Sequence, residues 1–250
     1  MERAIFRVSG DDTISFLQGL VTNDVRRLAQ DRILYAAFLS PQGKYLADFF
    51  LVADGEDILI DVAEALAESF LRRLSLYKLR AKVTITPEDM PVSRGTGPAP
   101  DGALPDPRHP ALGWRLYGVA LPEDGTDWDA LRVAHCIPES GIELIPDETY
   151  ILEVGFPRLN GVDFRKGCYV GQEVTARMEH KTELRKGLAQ VTVSGPAGRG
   201  AEIMAGSKPA GTLMTRSGDV AMAYLRFDRC TGPLQADTAQ VLWTPPAKAG

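Results

Sequence analysis

An α+β fold that ends in a small antiparallel β-barrel is predicted for this chain of 250 residues. Three observations carry the prediction. Residues 33–52 read as two strands around the turn Ser40-Pro41-Gln42-Gly43, with turn residues where a hairpin needs them. Residues 63–77 place Leu66, Phe70, Leu74 and Tyr77 along one side of a helix. Past Lys186 the chain breaks into short β-like runs separated by glycine and proline turns, the pattern of a small barrel.

Taken in order, residues 4–8 read as a strand, and Asp11 or Asp12 can cap a helix over about 13–20, with Ile14, Phe16, Leu17 and Leu20 in a core. Asn23 and Asp24 make a turn. The hairpin strands cover 33–39 and 44–52, a third strand follows at 58–62, and after the helix a further strand is expected at 82–86. Residues 87–110 are crowded with proline and glycine and are expected to form a surface connection, outside the core. Structure resumes at 112–119 and in a helix over 128–135. Barrel strands are expected at 188–193, 201–204, 211–214, 220–225 and 240–243, with a frayed tail, PPAKAG.

Composition narrows the function. With 44% hydrophobic and 24% charged residues the chain reads as an ordinary soluble globular protein of one large or two unequal domains. No apolar run is long enough to span a bilayer, and MERAIFRVSG lacks the layout of a secretory signal, so a cytoplasmic protein without a membrane partner is expected. A formal charge of -5 argues against a nucleic-acid partner. Cys136, Cys168 and Cys230 are far apart and never in a C-x-x-C pair, and His109, His135 and His180 are equally scattered. Neither a disulfide framework nor a metal site is encoded.

The densest chemistry lies between Gly161 and Lys186. Lys166, Gly167, Cys168, Tyr169, Gly171, Gln172 and Glu173 put a cation, a thiol, a phenol, an amide and a carboxylate within eight positions. From about Tyr169 the spacing predicts a helix, with Val170, Val174 and Met178 on one face and Gln172, Glu173, Arg177 and Lys181 on others. Cys168 is then expected just before a helix start, where the helix end and the cations Arg165 and Lys166 favour thiolate. The spacing also fits a small buried cysteine, as most free cysteines are, with Gln172 and Glu173 capping the helix. Arg165, Lys166, Arg177, Lys181, Arg185 and Lys186 stand against Asp163, Glu173, Glu179 and Glu183, either as a solvated helix face or as an attractor for a small anion. Asp48 is the one carboxylate in the mostly apolar strand 45–51, which fits a solvated face or a ligand contact.

The string K-G-C-Y-x-G-Q-E at 166–173, preceded by Gly161, Val162, Asp163 and Phe164 and followed by Val174, Thr175, Ala176 and Arg177, resembles the signature of the YgfZ family. FLQGLVTND at 16–24, LIPDETYILE at 144–153 and AYLRFDR at 223–229 extend the likeness, as does Arg132-Val133-Ala134 ahead of an I-P-E turn, although Cys136 stands where glycine is expected. Members of that family are folate-binding relatives of the glycine-cleavage aminomethyltransferase and assist the assembly or repair of iron-sulfur proteins. The resemblance implies a GcvT/YgfZ-like folate-binding α+β region over 1–184, of one or two subdomains, a C-terminal β-barrel over 185–250, and a central ligand channel. It implies tetrahydrofolate or a derivative as cofactor. G-K-Y-L-A-D at 43–48 aligns with the strand on which the aminomethyltransferases carry an aspartate beside folate, so Asp48 is a hydrogen-bond partner for the pterin.

The same resemblance puts Lys166, Cys168, Tyr169, Gln172, Glu173 and Arg177 in the channel. There Tyr169 can stack on a flat ring, Gln172 and Glu173 can read a polar edge, and Lys166 or Arg177 can neutralise the glutamate tail. Cys168 is the candidate catalytic residue, for redox or one-carbon chemistry. Three functions follow. The first is a folate-binding accessory protein whose clients are iron-sulfur enzymes or assembly proteins. The second is a tetrahydrofolate-dependent aminomethyltransferase of the glycine-cleavage type, which the shorter chain and the K-G-C-Y-x-G-Q-E string argue against. The third is a thiol-dependent enzyme using Cys168, for which His180 is the one base nearby in sequence, more than three helical turns away.

Overall fold

The computed structural model describes residues 2–180 and 184–245. Lys181 and Glu183 of the charged stretch, and all but the first residue of the tail PPAKAG, lie outside them. Contacts divide the chain into two compact units, one of residues 1–126, 145–151 and 156–177, the other of 127–144, 152–155 and 178–250.

The first unit is built on a five-stranded antiparallel sheet. Along the chain run β1 (Arg3–Ser9), α1 (Thr13–Gln18), α2 (Leu28–Asp31), β2 (Ile33–Leu39), β3 (Tyr45–Asp54), β4 (Asp57–Ala63), α3 (Glu64–Lys78) and β5 (Thr84–Glu88). The sheet order is β2-β3-β4-β1-β5. Every residue of β2 is buried, as are the first eight of β3, so the hairpin is covered on both faces. On one face Phe38 and Phe49 pack against Phe70 of α3, with ring centroids 6.0 and 5.0 Å apart. That contact fixes the helix, because its apolar stripe Ala67, Phe70 and Leu74 has no other surface to bury against in this core.

The other face carries Tyr35, Asp48, Phe50 and Asp61, alternating with the core residues as strand geometry requires. Its cover comes from the proline- and glycine-rich stretch. Residues 87–110 do not form a plain surface connection: they contain β6 (Val92–Gly95) and β7 (Leu104–Pro105), which sandwich β8 (Trp114–Tyr117) in a second sheet, and Leu104 and Asp106 are buried. Asp61 accepts from Arg3, from Arg115 and from the Tyr117 hydroxyl, while Asp106 pairs with Arg108 at 2.7 Å. The guanidiniums of Arg115 and Arg108 lie 4.0 and 4.9 Å from the Phe50 ring centroid. Composition misleads here because paired charges can be buried where lone ones cannot.

Further along are α4 (Trp128–His135) and α5 (Gln172–Glu179). Helix α4 belongs to the second unit, where its Arg132 pairs with Glu143 at 3.0 Å and with Glu139 at 2.7 Å. It ends at Cys136, whose φ of 52° and ψ of 47° are the left-handed cap that glycine adopts freely. The barrel follows as β9 (Lys186–Ser194), β10 (Glu202–Ala205), β11 (Lys208–Ser217), β12 (Val220–Arg226), β13 (Leu234–Ala236) and β14 (Ala239–Leu242), closed in the order β10-β11-β12-β9-β14-β13. Val191, Val193, Leu213, Leu225 and Val241 alternate inward with Ala210, Ala221, Ala223, Ala236 and Ala239, large beside small, which lets so narrow a barrel fill. The three-residue β13 was too short to read from sequence. Among the described residues no helix is long and apolar enough to cross a membrane.

Candidate functional site

Asp48 lies mid-strand on the sheet face opposite α3 and is only 5% exposed, so it does not sit on a solvated face. Tyr35 donates its hydroxyl to Oδ2 at 2.9 Å and Tyr45 donates to Oδ1 at 2.7 Å. Burial, reinforced by the neighbouring carboxylate, raises the Tyr35 hydroxyl well above its ordinary value, so it stays a donor. The two phenols fix the plane of the carboxylate. Sequence alternation singles out Asp48. Nothing in it indicates Tyr35, thirteen residues earlier, whose ring also stacks on Phe156 at 5.1 Å.

The K-G-C-Y segment is held at the sheet edge beyond β2 by the loop that follows α1. Thr22 Oγ1 donates to the Gly161 carbonyl at 2.6 Å and accepts from Ala37 N at 2.8 Å, and Ala37 is the cross-strand partner of Asp48. Asn23 Nδ2 bridges the carbonyls of Tyr35 and Asn160 at 2.9 and 2.7 Å. Asp163 N donates to Thr22 O and Val170 N to Gly19 O. Sequence reading took Asn23 and Asp24 as a turn. Its missed role is to tie the signature segment to the hairpin.

Lys166 departs most from expectation. Its ammonium does not reach toward a ligand's glutamate tail: Nζ donates to Gln18 O at 2.8 Å and to Val21 O, and the side chain is buried. Gln18 ends α1, so Lys166 supplies a donor to carbonyls that a helix terminus leaves without one. Desolvation lowers its pKa to about 8, against the pull of Asp24 and Asp163. Nζ also stands 4.9 Å from the Tyr169 ring centroid, occupying one ring face. Tyr169 is buried, and burial pushes its hydroxyl up to about 12.

The helix begins at Gln172, three residues later than the spacing predicted. Gly171 is the reason: its φ of 82° breaks the helical run that Val170 continues in pattern. Cys168 is exposed and stands four residues ahead of the first residue of α5, Gln172. Arg165 beside it is exposed and makes only a 4.0 Å pair with Asp163. Glu173 and Arg177 are exposed, Gln172 is half-buried, and Thr175 is the buried residue of α5 where the pattern favoured Val170, Val174 and Met178.

The residues therefore fall into two groups. Asp48 with Tyr35 and Tyr45 makes a fixed acceptor suited to the paired N–H groups of a pterin, which fits folate. Lys166 does not fit the glutamate tail, because its ammonium is buried and donates to the carbonyls of Gln18 and Val21. Among the described residues no group of three histidine, cysteine or acidic side chains is placed to hold a metal ion.

The chain has the fold of a glycine-cleavage aminomethyltransferase. Over 96% of this chain and 81% of the other, the structure superposes with TM-score 0.77 on the glycine cleavage system aminomethyltransferase T from Bartonella henselae, at 12% identity. Residues 185–250 match the family described as CAF17, C-terminal beta-barrel domain. The chain is 32% identical to the mitochondrial iron-sulfur cluster assembly factor IBA57 of Mus musculus, covering 95% of this chain and 79% of that one. It is 30% identical to the Homo sapiens protein of the same name, covering 93% and 78%. The chain belongs to the IBA57 family of iron-sulfur cluster assembly factors. These relatives carry the IBA57 name where the signature suggested YgfZ, and their mitochondrial designation overturns the cytoplasmic placement expected from composition.

Proposed function

We propose that this chain is a folate-binding accessory factor that supports the assembly or repair of iron-sulfur proteins, with the cluster as cargo and apo-proteins or assembly proteins as partners. The observation that carries the folate reading is Asp48, a carboxylate buried mid-strand in an aminomethyltransferase fold and oriented by two phenols. In this reading Asp48 accepts from the pterin, Tyr35 and Tyr45 hold it in plane, Gln172 and Glu173 meet polar groups at the start of α5, and Arg177 neutralises the glutamate tail. Buried Tyr169 and Lys166 keep the segment in place. Tetrahydrofolate would supply one-carbon or redox chemistry, and the exposed Cys168 is the group of this chain that faces it or a client. The assembly role rests on the family, whose named relatives are assembly factors.

Calorimetric titration with tetrahydrofolate tests the site. Saturable binding weakened at least about fivefold in Asp48→Asn is expected, since a polar site deprived of a matched partner loses on the order of 1–3 kcal/mol. No heat from folded wild type would sink the folate reading and leave the segment as a protein-docking surface. The fold favours a second reading, aminomethyl transfer from a lipoyl carrier protein, and methylene-tetrahydrofolate formed from such a carrier would establish it.

A further inference from the structure

The C-terminal end of α3 carries a surface that the folate and assembly readings do not use. The apolar stripe of the helix is buried against the sheet, yet Leu76 is 71% exposed and Leu79 is 90% exposed. Leu79 closes the helix with a φ of 38° and a ψ of -104°, which places that leucine at its tip. Exposed Arg72, Arg80 and Lys82 and half-buried Lys78 lie in the same stretch of chain, and no acidic residue occurs between Glu68 and Glu88. Facing groups on neighbouring elements are few: Asp147 pairs with Arg73 at 3.1 Å, Asp11 approaches Lys82 at 3.6 Å, and Asp12 accepts from the Lys82 backbone. Arg72, Lys78 and Arg80 make no ion pair among the described residues.

We propose that this knuckle, residues 72–82, attaches the protein reversibly to a membrane surface bearing anionic lipid. Leu79 and Leu76 enter the interface, and Arg72, Lys78 and Arg80 meet headgroup phosphates. Charge complementarity identifies the occupant: the chain carries -5 overall, so a cationic patch is local and opposes the rest of the surface. Composition favours lipid over protein. Protein interfaces are depleted in lysine and their energetic centres are poor in leucine, whereas surfaces that lie on membranes combine leucine with lysine and arginine. Two leucines are a small apolar load, which makes the attachment reversible. A search for apolar runs, the ground for expecting no membrane partner, is blind to a surface of this size.

The test is cosedimentation of the full chain with vesicles of phosphatidylcholine containing one third phosphatidylserine, against pure phosphatidylcholine. Binding to the anionic vesicles that falls as salt rises is expected. Lys78→Glu with Arg80→Glu should abolish it, and Leu79→Asn, which removes the apolar side chain at the tip, should lower partitioning about tenfold. Thermal melts establish that each variant is folded. Equal sedimentation with neutral vesicles, or binding unchanged by the charge reversal, would overturn the proposal. Poly-L-glutamate serves as a second ligand: if vesicles fail while it binds in a manner lost on charge reversal, the knuckle docks an acidic protein and the lipid assignment is wrong.

Discussion

Asp61 and Asp48 are buried carboxylates on the same face of one sheet, on adjacent strands, and they are held in opposite ways. Asp61 is enclosed by two guanidiniums and a phenol, and the cations of Arg115 and Arg3 keep its carboxyl below the usual range despite burial. Asp48 is oriented by two phenol hydroxyls. Full ionic compensation ties three segments of chain together and leaves Asp61 nothing to offer a ligand. The hydrogen bonds from Tyr35 and Tyr45 orient Asp48 through neutral hydroxyls, in place of the guanidiniums that grip Asp61. The first carboxylate is read as structural and the second as the ligand contact, and that contrast can be broken.

The largest effect is expected at Asp61. Asp61→Asn leaves Arg3 and Arg115 without their counter-charge and should destabilise the protein by about 3–5 kcal/mol in denaturant titration. The wild-type group binds its proton less readily folded than unfolded. Its stabilisation is therefore present above the ordinary carboxylate range and lost as pH falls through the lowered folded value, a loss the variant should not show. Next comes Lys166, whose buried ammonium donates to backbone carbonyls. Lys166→Met strands the Gln18 and Val21 carbonyls and should cost about 1–3 kcal/mol. With a folded pKa of about 8 against 10.5, the unfolded amine holds more protons in that window, so wild-type stability should rise from pH 8 to 10.5 and the variant's should stay flat.

Asp48→Asn should cost about 1 kcal/mol of stability, because the amide oxygen still accepts from one tyrosine, while folate affinity falls far more. Equal losses at Asp48 and Asp61 would mean both are structural. The smallest stability effect belongs to Cys168→Ser, within about 0.5 kcal/mol for an exposed residue, with any loss of client maturation then a matter of thiol chemistry.

Elements that follow a period were legible in the sequence. The hairpin, α3 and the longer barrel strands fall where alternation and turn residues put them, because each depends on neighbours nearby in the chain. What escaped depends on distant partners. Asp106 and Arg108 read as loop residues until their mutual pairing and the Phe50 ring make them interior. Lys166 read as a free cation because nothing local reveals that the end of α1, some 150 residues earlier, lacks donors. The helix start was misplaced because Val170 obeys the helical period, whereas the conformation of Gly171 overrules it.

Gly171 also meets Gly43 across a very close approach. A methyl at Gly171 would lie 2.5 Å from Ser40 O, and one at Gly43 would lie 2.7 Å from Val174 Cβ, with both backbones at positive φ. The tip of the β2–β3 hairpin and the first turn of α5 thus form a joint with no clearance. Such a joint transmits displacement without slack: a shift of the strand that carries Asp48 moves the helix that carries Gln172, Glu173 and Arg177 by a comparable amount. Occupancy at one would be felt as leverage at the other.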